Sequence, residues 1–372
     1  MAERIKLIRL IPVLDFGGVE TVFELWSQVI DRERYDVRIC TFWKAGAAAD
    51  AIRKAGIPVD VLNVDPSIRN PRASWTLARY LRHVRPDILQ ASIGEANFHA
   101  ALVGKMCGVP IVMIEEHGIP NRPLPYRLVH AVLYRMVDAV IGVSQVALDY
   151  VVKREYAPRA RTRLLYNAIA DQYFAPIQPP PQKHGADFQF VTVGRLHPVK
   201  NQQRLIQAFA EVARLYPNVS LTIVGGGDMH AELECLISDL RLTKRVTLAG
   251  YRGDVKAIVE NADCFLFPSL TEAFGIGAVE AMARGLPTIA SSGGALPEIV
   301  GDLGPEWIID PYDIKGWSRA MQAMVTLDED ARARLGRQSR QIAERYTLTR
   351  HAAALDDIYI AMLAEKGFCA QA

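Results

Sequence analysis

Two glutamates, Glu272 and Glu280, lie eight positions apart in TEAFGIGAVEA (271–281), with Phe274 and Gly275 between them. The pattern from Gly275 to Gly285 reads as a helix. Glu280 then falls about five residues inside it, roughly 7–8 Å along the axis at 1.5 Å per residue. An anion at the start of such a helix gains from the free amides and the dipole. A group one sugar ring further along would meet Glu280. The spacing suits a nucleoside diphosphate, with phosphates at Phe274, Gly275 and Ile276, ribose hydroxyls at Glu280 and a third moiety at Glu272. A plainer account, an acidic first turn and a solvated face, covers Glu272 easily. It covers Glu280 less well, because Ile276, Val279, Met282 and Ala283 surround it.

Three other places carry chemistry-bearing residues. In GRLHPVKN (194–201), Arg195 leaves an apolar run and Lys200 opens a helical one, with Pro198 keeping the turn short. A guanidinium fork and a point charge aimed at one spot suit a diphosphate. Two solvated surface cations are the alternative. In LDFGGVET (14–21), Gly17 and Gly18 allow a sharp turn into a helix whose first amides are free for an anion. An ordinary strand-to-helix turn explains them equally well. In EEHGIP (115–120), His117 follows an apolar run; taken alone, a single histidine is more often structural than catalytic.

All four places follow a predicted strand. Strands are expected at 4–13, 36–42, 58–63, 87–92, 110–116 and 139–144, then at 188–194, 220–225, 245–250, 262–269 and 286–291. Amphipathic helical stretches such as 18–31, 73–84 and 95–106 separate them, and 313–366 is helical throughout. Alternating strands and helices build parallel βαβ sheets. The alternation breaks in the proline-rich stretch 167–187, which reads as a linker. The expected fold is therefore α/β, with two doubly wound domains. The first covers 1–170, a linker 171–187, and the second 188–346. Ligands of such sheets sit beyond the carboxyl ends of the strands, so the binding cleft is expected between the domains.

Composition narrows the function. With 372 residues and a net charge of +2, the chain fits two globular domains and gives no sign of nucleic-acid binding. Its five cysteines form no CxxC or Cys/His cluster, which argues against zinc and disulfides and fits a reducing cytoplasm. The opening segment reads as a buried strand rather than a signal peptide, although Arg9 interrupts its apolar run. GGGDMH (225–230) lacks the third glycine of a dinucleotide fingerprint, so an NAD enzyme is disfavoured.

Taken together, these pieces resemble the retaining GT-B glycosyltransferases, most closely the large family 4 (glycosyl transferases group 1). Gly-Gly after the first strand, GRLHPVKN and E-x-F-G-x-x-x-x-E follow that family's order and spacing over nearly the whole chain. The resemblance implies a GT-B fold, two Rossmann-like domains facing a central cleft, with the last helix (about 347–366) packing back on the first domain. It implies a metal-independent enzyme that transfers a sugar from a nucleotide sugar, UDP-linked by family habit, to a glycan or lipid-linked acceptor, with no other cofactor. Arg195 and Lys200 would neutralise the leaving diphosphate. Glu280 would bind the ribose and Glu272 the donor sugar. Gly17 and Gly18 would approach the donor phosphate or acceptor, and His117 would contact the donor sugar from the opposite domain. Tyr251 and Arg252 would lie near the nucleobase. The sequence departs from the family at Ala273, which replaces a glycine, and at NAIA (167–170), which replaces N-G-[IV]-D.

Other readings of the same fold are an epimerase or a phosphorylase; a different class is a two-lobed binding protein without catalysis. The stretches 69–85 and 121–136 mix arginine with aromatics and would allow peripheral contact with the cytoplasmic face of a membrane. A helix with an apolar core face and a solvated basic face is the weightier account of both.

Overall fold

A computed structural model of the chain describes residues 4–15, 17–120, 122–175 and 187–368. The chain divides into two compact units, Met1–Ala168 with Leu348–Ala372, and Ile169–Thr347.

The first unit holds seven parallel strands: β1 (Ile5–Ile11), β2 (Tyr35–Thr41), β3 (Val59–Val61), β4 (Ile88–Ser92), β5 (Ile111–Glu116), β6 (Ala139–Gly142) and β7 (Thr162–Leu164). Their order is β3-β2-β1-β4-β5-β6-β7. Side chains alternate across the sheet, and helices cover both faces, so the central strands are apolar on both sides. Ile8 and Leu10 of β1 join a core with Leu77, Leu89 and Tyr134, whereas Leu7 and Ile11 join Phe23, Trp26 and Tyr359 on the other face. Tyr359 comes from the closing helix Leu348–Glu365, which belongs to this unit although it ends the chain. Its Asp356 accepts hydrogen bonds from Tyr35 at 2.5 Å and Arg34 at 2.6 Å.

The second unit has six parallel strands: β8 (Phe188–Val193), β9 (Val219–Val224), β10 (Val246–Gly250), β11 (Cys264–Phe267), β12 (Thr288–Ser291) and β13 (Ile308–Ile309), in the order β10-β9-β8-β11-β12-β13. Both sheets are doubly wound. The strand order reverses between β1 and β4 in one and between β8 and β11 in the other, which are the points where such folds bind ligands.

Two strands were not foreseen. β7 reads Thr-Arg-Leu and β13 has only two residues, too short and too polar for an alternation to show. The start of the expected linker also differs. Residues Asp171–Phe174 form a 3-10 turn, and carbonyls in and just after it are claimed by two arginines, buried Arg284 and half-buried Arg340. Arg284 donates to the carbonyls of Tyr173 at 2.9 Å and Ala175 at 2.8 Å, and Arg340 donates to that of Phe174. The rest of the expected linker, 176–186, lies outside the described residues, as does Cys369. Among the described residues, no helix is long and apolar enough to cross a membrane.

Candidate functional site

The reversal of the second sheet brings together the segments after β8 and β11. After β8 the chain runs through Gly194 and Arg195 into a 3-10 turn, Pro198–Lys200, and a helix begins at Gln202 rather than at Lys200. Lys200 does not stand beside Arg195 as a second free cation. Its ammonium is paired with the Glu272 carboxylate and lies 5.5 Å from the centre of the Phe267 ring. Arg195 is exposed and has no ion-pair partner among the described residues. One side of the site is thus a locked cation–carboxylate pair and the other a free guanidinium.

Asn201 locks this geometry. It sits in the left-handed region with φ 57°, which asparagine tolerates. Its side chain is buried and donates to the carbonyls of Pro268 at 3.0 Å and Pro311 at 2.8 Å. The Leu270 amide donates to the Val199 carbonyl at 2.8 Å, so the two loops are also joined by backbone. Replacing Asn201 with alanine strands two buried carbonyls and strains the backbone. We expect Asn201→Ala to lower unfolding free energy by about 2 kcal/mol, measured by urea denaturation.

Beyond Glu272, Gly275 caps the helix Ile276–Ala283 with φ 102°, a conformation that favours glycine. The helix therefore presents its first amides without a side-chain cap. Phe274 contributes backbone only, because its ring is buried edge-on against Tyr346 at 5.2 Å. Glu280 is the fifth residue of the helix. Burial pushes its carboxyl up to about 7, and a hydrogen bond from the Tyr173 hydroxyl works against that rise.

Sequence reasoning missed two supports of this loop. Gly293 and Gly294 press against the backbone of 269–272, where any side chain would run into the carbonyls of Leu270 and Glu272; Gly294 also has φ 66°. The Ala295 amide then donates to the Glu272 carbonyl at 2.8 Å. The glycines of GGGDMH, which do not make a dinucleotide fingerprint, do a similar job. Gly225 and Gly227 lie against the carbonyls of Gly194 and Leu196, and the Leu196 amide donates to the Gly226 carbonyl at 2.8 Å. They let β9 approach the Arg195 loop closely. Tyr251 rests on Gly226 and is 82% exposed. Arg252 is held by Asp254 through two hydrogen bonds of 2.8 and 2.6 Å, so its fork is already occupied.

In the first unit, Gly17 and Gly18 open the helix Gly18–Ser27 after β1, exposed and without a side-chain cap. His117 follows β5, and its side chain is only 8% exposed. Its Nε2 lies 2.8 Å from Oε2 of Glu115. Glu115 is buried and accepts from Arg9 at 3.2 Å on both oxygens, from Gln90 and from Ser92. Burial by itself would raise this carboxyl; Arg9 and His117 outweigh it and hold Glu115 well below the usual carboxylate range. Ile93, just after Ser92, has φ 75°, a strained conformation for a β-branched residue at the reversal of the sheet. The arginine inside the first apolar run was the visible sign of this cluster, since a charge there needs a buried partner.

The pattern of the glycosyl transferases group 1 matches residues 175–342, and that of the glycosyl transferase 4-like domain matches residues 17–168. The chain is 32% identical over 326 residues to a phosphatidylinositol N-acetylglucosaminyltransferase subunit of Arabidopsis thaliana, covering 81% of this chain and 71% of that one. It is 24% identical over 385 aligned positions to UDP-Gal:alpha-D-GlcNAc-diphosphoundecaprenol alpha-1,3-galactosyltransferase of Escherichia coli, covering 98% of each. Among solved structures it resembles HepE of Anabaena in complex with UDP and glucose, with a TM-score of 0.81 at 20% identity over 96% of this chain and 100% of the other. Two doubly wound parallel sheets, the matched patterns and these relatives agree: the chain belongs to the glycosyl transferases group 1 and is a glycosyltransferase of the GT-B fold.

Proposed function

We propose that the enzyme transfers a sugar from a nucleoside-diphosphate sugar, UDP-linked, to a hydroxyl of a glycan or lipid-linked acceptor, with retention at the anomeric carbon and without a metal ion. The observation that carries this reading is the succession of groups at the reversal of the second sheet. Free Arg195, the Lys200–Glu272 pair, the uncapped helix at Gly275 and Glu280 follow one another there. The relatives support the donor and acceptor classes. The Escherichia coli enzyme is named for UDP-galactose and a diphosphoundecaprenol-linked sugar, the Arabidopsis protein for phosphatidylinositol, and the HepE structure holds UDP and glucose.

In this reading Arg195 and Lys200 take up the charge that grows on the diphosphate as its bond to the sugar breaks. Fixed cations do this without reorganisation. The amides of Gly275 and Ile276, with the backbone of Phe274, hold the phosphates, and Glu280 accepts from the ribose hydroxyls. Glu272, already oriented by Lys200, reads a sugar hydroxyl. Tyr251 offers a face to the base, and Arg252 joins it only by releasing Asp254. In the first unit, Gly17 and Gly18 bring free amides to a phosphate or acceptor group, and His117 reads a sugar hydroxyl.

Ligand-observed NMR with UDP-, GDP- and ADP-sugars in EDTA tests the donor site. Saturable binding of UDP-sugars without metal, weakened in Glu280→Ala, is the expected result; binding that requires a divalent ion defeats the metal-free reading. Anomeric proton couplings of the product test retention. Nucleotide release only when an acceptor alcohol is present separates transfer from epimerisation.

The two basic stretches part company in the structure. Helix Pro71–Val84 buries Ala73, Leu77 and Leu81 and turns its arginines to solvent, the ordinary arrangement. Helix Leu124–Met136 instead exposes Leu124, Leu128 and Val132, one stripe at four-residue spacing, with Val129 beside Val132. We propose that this stripe rests on an anionic membrane. Pelleting with phosphatidylglycerol vesicles should fall several-fold in Leu128→Glu; equal pelleting of both proteins, or none of either, would end the idea.

A further inference from the structure

Arg9, Gln90, Ser92 and Glu115 occupy three adjacent strands near the reversal of the first sheet; Arg9 stands opposite Gln90, and Ser92 opposite Glu115. Buried ion pairs are a poor source of stability, since an apolar replacement often does as well; what they supply is a fixed arrangement. This one is fixed from several sides. The Arg9 guanidinium lies 3.9 Å from the centre of the Phe23 ring and 4.7 Å from that of Trp26, and the Tyr359 hydroxyl donates to the side-chain Oε1 of Gln90. All these groups converge on one carboxylate, and that carboxylate meets His117.

We propose that Arg9 and Glu115 are positioning residues for His117: the ion pair pins the imidazole by its Nε2–H and leaves Nδ1 as a dry acceptor for a ligand hydroxyl. The reasoning is one of proton inventory. An ionised Glu115 can only accept, so the nitrogen facing it carries the hydrogen. In the singly protonated ring the lone pair is then at Nδ1, and that nitrogen is buried with no hydrogen-bond partner among the described residues. A buried unpaired acceptor is costly, and a hydroxyl hydrogen would satisfy it. The charge on Glu115 is assured by Arg9 and by the hydrogen bonds from Gln90 and Ser92. The inference rests on the reading of His117 as a ligand contact.

The first test is nitrogen NMR of the histidine-labelled full chain at pH 8. His117 should show the Nε2–H tautomer; a hydrogen on Nδ1 overturns the proposal. The second is kinetic. Glu115→Gln should lower kcat/KM about a hundredfold, and the milder Ser92→Ala, which removes one bond to the shared Oε2, about tenfold. UDP affinity should stay within twofold in both, because it belongs to the second unit. If Glu115→Gln does not fold, Ser92→Ala still decides. Transfer indifferent to a folded Ser92→Ala and Glu115→Gln sinks the positioning role. A wild-type chain that binds nucleotide sugars yet transfers nothing sinks the function instead, while the tautomer still reports on the ring.

Discussion

Lys200→Ala is expected to lower kcat about a hundredfold, about 3 kcal/mol of transition-state stabilisation. In the proposed reaction the diphosphate oxygen gains charge as the sugar–phosphate bond breaks, and a fixed cation meets that charge without reorganisation. Lys200 is fixed by Glu272 and by the loop that Asn201 anchors. The same substitution frees Glu272, so in the proposed reading its effect has two parts: a lost cation at the leaving group and a looser carboxylate at the sugar. Lys200→Arg should recover part of the charge but not the placement, because a planar fork does not replace a point charge. Stopped-flow turnover beside UDP titration separates the effects. A hundredfold loss in kcat with a UDP affinity changed only a few-fold is the expected pattern. Undiminished turnover in Lys200→Ala would remove Lys200 from the chemistry.

Glu280 should give two opposite pH dependences. Its carboxyl, ordinarily near 4.5, is raised to about 7 by burial. In the proposed donor site, only the ionised form accepts from both ribose hydroxyls. Nucleotide affinity should therefore be full above pH 7 and fall as pH drops below it, by up to about tenfold per unit. Folding behaves in reverse. A raised carboxyl pKa means that the folded chain holds a proton that the unfolded chain has lost. The contribution of Glu280 to stability is therefore present below about pH 4.5 and is lost as pH rises through about 7. Glu280→Gln should flatten both trends, and at pH 8 it should weaken UDP binding about a hundredfold, the worth of two charge-assisted hydrogen bonds. Isothermal titration of UDP between pH 5.5 and 8.5 with both proteins makes the comparison. An affinity that does not vary with pH would separate Glu280 from the ribose.

The linear order of residues already held the architecture. Parallel strands buried on both faces announce themselves as apolar runs, and helices between them as 3.6-residue periods, so most of both sheets was legible. The places of Arg195, Lys200, Glu272, Gly17, Gly18 and His117 after strand ends were legible too, as was that of Glu280 inside the next helix, because a doubly wound sheet leads from each strand into a turn and a helix. Pairing was not legible. No local signal says that Lys200 turns to Glu272 and leaves Arg195 alone, that the Phe274 ring belongs to the core, or that Arg252 is taken by Asp254. Nor does anything in NAIADQYF or in GGGD reveal that one is gripped by Arg284 and Arg340 and the other lets two loops touch.

The physical reason is range. Turn chemistry, periodicity and strand ends depend on residues within a helical turn or two, and the chain itself determines them. The partners of a charge lie 72 positions apart for Lys200 and Glu272 and 106 for Arg9 and Glu115. Contacts of that span exist only after the sheet order has been set, and it was the reversals between β1 and β4 and between β8 and β11 that decided which side chains would meet.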